Sequence, residues 1–451
     1  MARLSVRRFL IALLFLSTTL AGAMERQPNA DYRARRQALA AKTNGGVVVL
    51  FAPMENEGPN ALYGFRQEDN FYYLTGLSAP DAALVISPAV EAKGEEPARP
   101  YVEILFLAAR NTTQERWTGP KLGPENPRAR EITGFDRVEP LDRMREELAR
   151  ILPSPRVTIY TDIREGGERS PSTSGIEFLW RSNAFPNYVG FRDVRPLVHA
   201  LRLVKDAGEV GLIRKATDAS MAAHRAVLHN MKPGMTEQQI SALMQYEFLK
   251  RGCERPAYAP IVGSGFNGTV LHYSENSATL ADGDLVVMDV GGEYSMYATD
   301  ITRTLPTNGK FTARQREIYE IVLGAQQAAE KAFELGKTTL ARSGENSLQK
   351  VAYDYINSHG KDKHGKPLGQ YFIHGLGHSV GLNVHDPGYD GKPIPKGMVF
   401  TIEPGIYIPE ENLGVRIEDM YYVDNDGKLV RLSAGLPRTV EEIEAEMAKR
   451  D

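Results

Sequence analysis

Hydrophobic and polar positions follow two different rhythms along this chain, and the change falls near residue 196. Before it, short apolar runs are separated by polar loops rich in Pro and Gly. GGVVVLFA, DAALVIS, YVEILFLAA and VTIYTD read as strands, and DYRARRQALA ahead of them reads as an opening helix. Beyond it, apolar residues recur at helical spacing. Asp206 followed by Glu209 fits a capping box that opens a helix running to about Met231. MKPGMTEQQI closes that helix and opens another, capped by Thr236 and ending near Arg251-Gly252. Strands and an apolar hairpin follow. The order then recurs, with helices near 312–335 and 345–358, a strand-rich segment and a second hairpin. The pattern predicts an α/β amino-terminal domain over residues 24–196 and an α+β domain over 197–451 built from two pseudo-two-fold halves. The repeat is one of element order only; the second half reads LGKTTLARSG where the first has Pro-Gly. The tail, TVEEIEAEMAKR, reads as a charged amphipathic helix with a solvated face.

Each hairpin carries an unusual load. DLVVMDVGGEYSMYATDITRTL, from Asp284 to Leu305, has two arms around a Gly291-Gly292-Glu293 turn. Each arm holds one acid among apolar or small residues, Asp289 and Asp300. FTIEPGIYI and GVRIEDMYYV repeat this with Glu403 and Glu418. A carboxylate buried alone is costly and calls for a cation. Between the hairpins in sequence lies HGLGHSVGLNVHD, from His374 to Asp386. Four carboxylates and one imidazole match the charge of two divalent cations, with a bridging hydroxide between them as nucleophile. Such a ligand set suits Mn, Co, Fe or Zn rather than copper or a thiolate site.

In their order and local motifs these residues resemble the pita-bread metallopeptidases, and within them most closely the aminopeptidase P family, over essentially the whole mature chain. The resemblance implies a pita-bread catalytic domain. It implies that Asp289 holds one metal with both oxygens, that Asp300 and Glu418 bridge two metals, and that His378 and Glu403 complete the second. Glu403 is also the candidate proton shuttle. His272 in VLHYSEN and His385 in NVHD become candidates for stabilising a tetrahedral intermediate. Arg416 in VRIED lies two residues before Glu418, on the same strand face, where it could pair with the ligand carboxylates or with substrate. His374 and Tyr407 are further substrate-binding candidates. YGFRQEDNFYYLTGL, 63–77, and ERWTGPKLG, 115–123, carry the likeness in the amino-terminal domain; Trp117 in the latter is either core packing or a substrate contact. One departure is visible. Asn70 stands in RQEDNF where an acid is expected, with Asp69 adjacent.

The family likeness implies a metallo-aminopeptidase that hydrolyses the Xaa-Pro bond at peptide amino termini. It implies two divalent ions per chain, Mn first with Co, Fe or Zn as alternatives, and a homo-oligomer, dimer or tetramer. Prolidase, which cleaves only the Xaa-Pro dipeptide, is the nearest alternative. A metal-free creatinase-like enzyme and a non-catalytic peptide-binding protein on the same fold are others, and the complete five-ligand set argues against both. Methionine aminopeptidases share the ligand pattern but normally lack an amino-terminal domain of this size.

Composition narrows the setting. The chain has 451 residues, 42% hydrophobic and 25% charged, which is ordinary for a globular protein. Arg3, Arg7 and Arg8, the apolar run from Phe9 to Leu20 and the small site Ala21-Gly22-Ala23 read as a signal peptide over residues 1–23. The run is short for a span of about 20 residues, so cleavage, export to a periplasmic or secreted location and no stable membrane anchor are expected. Its loss moves the net charge from −3 to −6, which offers no basic signature for nucleic acid. Cys253 is the sole cysteine, so no intramolecular disulfide forms and a small packed residue is expected. GSGFNG matches a dinucleotide fingerprint, but TVLHY after it reads as strand where a helix is required. LGKTT lacks a phosphate loop's first glycine, having Lys331 there. His199, His224 and His229 read as surface or packing residues.

Overall fold

A computed structural model describes residues 24–55, 62–92, 98–152, 157–163, 190–388 and 391–449. The expected signal peptide lies outside these residues. The apolar runs of the amino-terminal part form a six-stranded mixed sheet: β1 (Val47–Phe51), β2 (Ala83–Ser87), β3 (Val102–Leu107), β4 (Arg137–Pro140), β5 (Ile159–Thr161) and β6 (Phe191–Asp193). Their order across the sheet is β4-β3-β2-β1-β5-β6. The central strands read as continuous apolar runs because both faces are covered. Val47, Val49, Val85, Ile104 and Phe106 pack on Met144 and Leu148 of the helix Met144–Ile151. On the other face, Val48, Leu50, Leu84 and Ile86 join a core that includes Phe71 and extends to Val210, Ile213, Tyr297, Val399 and Met420. The amino-terminal layer is thus welded to the rest of the chain by apolar packing.

One ion pair is buried inside that layer. Arg36, on the opening helix Asn29–Ala40, donates from Nε and Nη2 to both oxygens of Glu103 on β3, at 2.9 and 3.0 Å. Both side chains are fully buried. Removing one partner of such a pair leaves an uncompensated charge in a low-dielectric core. Glu103→Ala is therefore expected to destabilise the protein by about 3–5 kcal/mol. Denaturant unfolding followed by tryptophan fluorescence checks this; an unchanged midpoint would show that Arg36 finds other partners at no cost.

The second part follows the predicted order. Asp206 caps the helix Ala207–Asn230 and Thr236 caps Glu237–Lys250, each with a reciprocal capping box to Glu209 or Gln239. The later helices are Ala313–Ala332 and Leu348–His359. The tail helix, Val440–Met447, is more than a solvated face: Val440, Ile443 and Met447 lie on one side and are buried in the core. TVLHY is not a strand. After β7 (Arg255–Pro256) and β8 (Ile261–Ser264), the chain makes a 3-10 turn over Gly265–Thr269 and continues as a loop. The Glu237 carboxylate ties that loop down by accepting from the Ser264 amide and hydroxyl, Asn267, Tyr273 and the Ala278 amide. No helix follows the glycines, so the dinucleotide reading stays excluded.

Both hairpins are broken in the same way. In the first, β9 (Leu285–Asp289) pairs antiparallel with β12 (Thr302–Pro306), while β10 (Gly292–Tyr294) and β11 (Tyr297–Ala298) form a separate tip. In the second, β13 (Val399–Ile402) pairs with β16 (Asp419–Val423), and β14 (Gly405–Ile408) with β15 (Leu413–Arg416). A short β17 (Leu429–Arg431) flanks β16. The first turn is not Gly291-Gly292-Glu293. It lies at Ser295-Met296, whose positive φ angles of 49° and 72° turn the chain. Gly291 serves a close approach instead, since a Cβ there would sit 1.8 Å from the Thr299 carbonyl oxygen.

Candidate metal centre

All four acids stand at the strand breaks. Asp289 ends β9 and Asp300 precedes β12; Glu403 follows β13 and Glu418 precedes β16. A break in the ladder turns each carboxylate out of its sheet and into the space between the two hairpins. The Gly-rich segment brings His378 to the same place, a close approach that needs glycine at 377, where a Cβ would sit 2.0 Å from the Thr401 carbonyl oxygen. His378 Nε2 lies 3.4 Å from Asp300 and 3.3 Å from Glu403. Asp300, His378 and Glu418 offer ligand atoms within 4.8 Å of one another. The five residues predicted as ligands are thereby drawn together around one cleft.

The electrostatics ask for cations. Burial pushes the Asp300 carboxyl well above its usual range, and the Asp289 charge adds to this. Burial does the same to Glu418, reinforced by Asp300 and Glu403. Asp289 goes the other way: burial opposes its charge, but Arg416 Nη2 at 2.6 Å and the Tyr258 hydroxyl hold it below the usual range. Glu418 Oε2 accepts from Thr302 Oγ1 at 2.7 Å, while Oε1 is buried without a hydrogen-bond partner. An orphaned carboxylate oxygen beside an imidazole and a second acid is a fitting ligand position for a divalent metal.

Of the remaining predicted site residues, all but Trp117 line the cleft or back it. Leu271, His272, His374, His385, Glu403 and Arg416 surround a cavity of about 300 Å³ together with Asp289, Asp300 and His378. The His378 and His385 rings stand 4.1 Å apart. Burial and the neighbouring His378 lower the pKa of His385, and burial lowers that of His374, which favours neutral rings. Tyr407 is not on the cleft wall. It is buried, and its hydroxyl sits 2.8 Å from both His374 Nε2 and Arg416 Nη1, so it supports those two. Trp117 is neither core nor part of this cleft: it is 81% exposed on the short helix Glu115–Thr118. Asn70 is buried, accepts from Arg202 Nη1 at 2.7 Å, and is not among the residues lining the cleft. Burial also raises the Cys253 pKa to about 12, consistent with a packed thiol. His224 is buried and bonded to the Ile301 carbonyl, His229 pairs with Glu446, and His199 lies on the helix Arg195–Arg202; none joins the centre.

Three residues at the centre were not singled out from the sequence. The Tyr258 hydroxyl spans Asp289 and Asp300 at 2.6 and 2.5 Å. Thr401 Oγ1 donates to Glu403 at 3.1 Å and accepts from the His378 amide. Thr302 supports Glu418. The threonines carried a signal, since each stands two residues from a hairpin acid and strand alternation puts it on that side. Tyr258 carried none; a loop between two short strands delivers it.

Comparison with known proteins agrees with the geometry. The sequence model of Metallopeptidase family M24 matches residues 211–425, and that of the Aminopeptidase P, N-terminal domain matches residues 32–160. The Xaa-Pro aminopeptidase of Escherichia coli K12 is 34% identical over 443 residues, covering 92% of this chain and 97% of its own. The solved structure of proline aminopeptidase P II from Yersinia pestis superposes with a TM-score of 0.80 at 32% identity, covering 94% of this chain and 100% of its own. That of E. coli aminopeptidase P with the inhibitor Pro-Leu gives 0.80 at 31% identity, covering 94% and 99%. Likeness of this extent spans both the hairpin acids and the amino-terminal sheet, and the chain belongs to the aminopeptidase P family of pita-bread metallo-aminopeptidases.

Proposed function

We propose that this protein is an exported, dinuclear Xaa-Pro aminopeptidase that removes the first residue from peptides with proline second. The observation that carries the site is the convergence of Asp289, Asp300, His378, Glu403 and Glu418 with an orphaned Glu418 oxygen among them. These five residues would hold two divalent ions, Mn²⁺ first. When bound, such ions would supply Lewis-acid polarisation and make water a competent nucleophile at neutral pH. Glu403, braced by Thr401, takes a proton from the attacking water and returns it to the leaving proline nitrogen. His272 and His385, on the cleft wall, donate to the substrate carbonyl and to the oxyanion that forms from it. Arg416 keeps Asp289 ionised and in place, itself aligned by Tyr407 and Thr302.

The choice of substrate rests on the family. Relatives named Xaa-Pro aminopeptidase match the chain nearly end to end, and the E. coli relative is bound by the inhibitor Pro-Leu, in which a residue follows proline. A corresponding site here accepts chain beyond proline. The expected outcome is a kcat/KM for Xaa-Pro-Yaa tripeptides and longer peptides at least about tenfold above that for the Xaa-Pro dipeptide, a difference of about 1.4 kcal/mol in transition-state binding. Cleavage confined to the dipeptide would make the protein a prolidase. The exposed Trp117 suits a homo-oligomer in which a neighbour's amino-terminal layer reaches the cleft. Among the described residues no helix is long and apolar enough to cross a membrane. Amino-terminal sequencing of native protein should begin at or near Met24; an intact Met1 on a cytoplasmic product overturns export.

A further inference from the structure

The loop that delivers His385 is held in an unusual way. Among the described residues no hydrogen bond holds the His385 ring itself; its amide donates to Asn383 Oδ1 at 3.1 Å, and its ring stands 4.1 Å from that of His378. The aim of the imidazole therefore depends on the backbone of residues 379–386. That backbone is closed by the Asp386 amide on the Ser379 carbonyl at 2.9 Å and by the Asn383 amide on Asp386 Oδ1 at 3.2 Å. The Asp386 carboxylate, wholly removed from solvent, is then gripped by two cations. Arg202 Nη2 donates to Oδ1 and Lys205 Nζ donates to Oδ2 at 3.0 Å, and each of the three side chains is no more than 4% exposed.

Both cations come from outside the loop, and their other contacts reach further. Lys205 also donates to Ser379 Oγ at 3.3 Å. Arg202 donates to Asn70 and lies 3.6 Å from Asp69, both in the amino-terminal layer. Asp69 accepts from Asn383 Nδ2 at 3.3 Å and from Arg66, and Arg66 donates in turn to the Leu382 carbonyl at 2.8 Å and to Glu293 on the first hairpin. A carboxylate buried between two fixed cations has one favourable position, because moving it strands charge in a low-dielectric core. The amide at position 70 orients Arg202 through one hydrogen bond and adds no charge of its own.

We propose that Asp386 is a positioning residue for His385, and that Arg202 and Lys205 transmit the placement of the amino-terminal layer to that imidazole. This rests on the role given to His385 above. A displacement of about 1 Å at a catalytic group can cost on the order of 10² in rate, and loss of a partner that orients a functional group typically costs about 10–100-fold.

The test is a double-mutant cycle on the metal-loaded, full-length protein, with metal content measured for every variant. Asp386→Asn keeps shape and removes the charge. It is expected to lower kcat about 10–100-fold, with KM nearly unchanged and two metals retained. In a His385→Ala background the same substitution should cost less than about twofold, because the group through which it acts is gone. Lys205→Met, which leaves Arg202 on the carboxylate, should show the same pattern with a smaller loss and keeps the cycle decisive if Asp386→Asn does not fold. Wild-type kcat in either folded variant, an equal loss in both backgrounds, or a loss that follows departed metal overturns the positioning role. A His385→Ala enzyme with wild-type kcat would instead overturn the role of His385, and is told apart because that single variant is scored first.

Discussion

Glu403→Ala is expected to lower kcat by about 10²–10⁴, the range for loss of a positioned acid–base group, with the fold intact. Glu403 stands on the cleft wall with a partly exposed side chain, so its removal opens no core cavity. What disappears is a carboxylate 3.3 Å from His378 Nε2, held by Thr401 at 3.1 Å. A proposed metal ligand and the proposed proton carrier are lost together. Asp289→Ala should be as damaging by a different route, because it also leaves the buried Arg416 guanidinium without its carboxylate at 2.6 Å. Chelation should abolish turnover in the wild-type protein, and Mn²⁺ or a similar ion should restore it; neither variant should recover fully on the same treatment. Steady-state kinetics beside metal analysis and thermal unfolding separate chemistry from folding. Full activity in purified Glu403→Ala would sink the assignment of the centre.

His385→Ala should lower kcat by about 10²–10³ with little change in KM, the magnitude seen when a donor to a developing oxyanion is removed. The ring stands on the cleft wall beside His378, and desolvation together with that neighbour favours its neutral form. A neutral imidazole can donate to a carbonyl oxygen as charge grows on it, which is why the loss should fall on the transition state rather than on binding. A raised KM with unchanged kcat would mean that His385 only binds substrate, and no change in either would return it to a structural role. Parallel substitution of Tyr407, which is buried behind His374 and Arg416, should instead disturb both constants, since it supports two cleft residues at once.

Much of this molecule was legible in its residues because the information was local. The capping boxes at Asp206 and Thr236, the apolar runs that became β1, β2, β3 and β5, and the two helix-pair-and-hairpin halves depend on spacing over a few residues. The five ligand candidates stood out because acids in apolar strands are costly and need a shared reason. Other features depend on contacts between distant segments, which spacing does not encode. Gly291 and Gly292 looked like a turn, but the turn fell at Ser295-Met296 because the glycines were needed where the arms cross Thr299 and Cys253. TVLHY had strand composition, yet Glu237 gathered that segment into a loop. Trp117 and Tyr407 belonged to suggestive motifs, but only packing decided that one faces solvent and the other lies behind the cleft. Tyr258 entered the centre, and Asp386 came to be gripped by Arg202 and Lys205 from nearly two hundred residues away, without a local sign of either. The sequence by itself determined the elements and the chemistry of the candidate ligands, since propensity, periodicity and charge act within a few residues. The aim of those groups was decided by the tertiary structure, because a buried charge or close-packed glycine takes its place from whichever distant surface satisfies it.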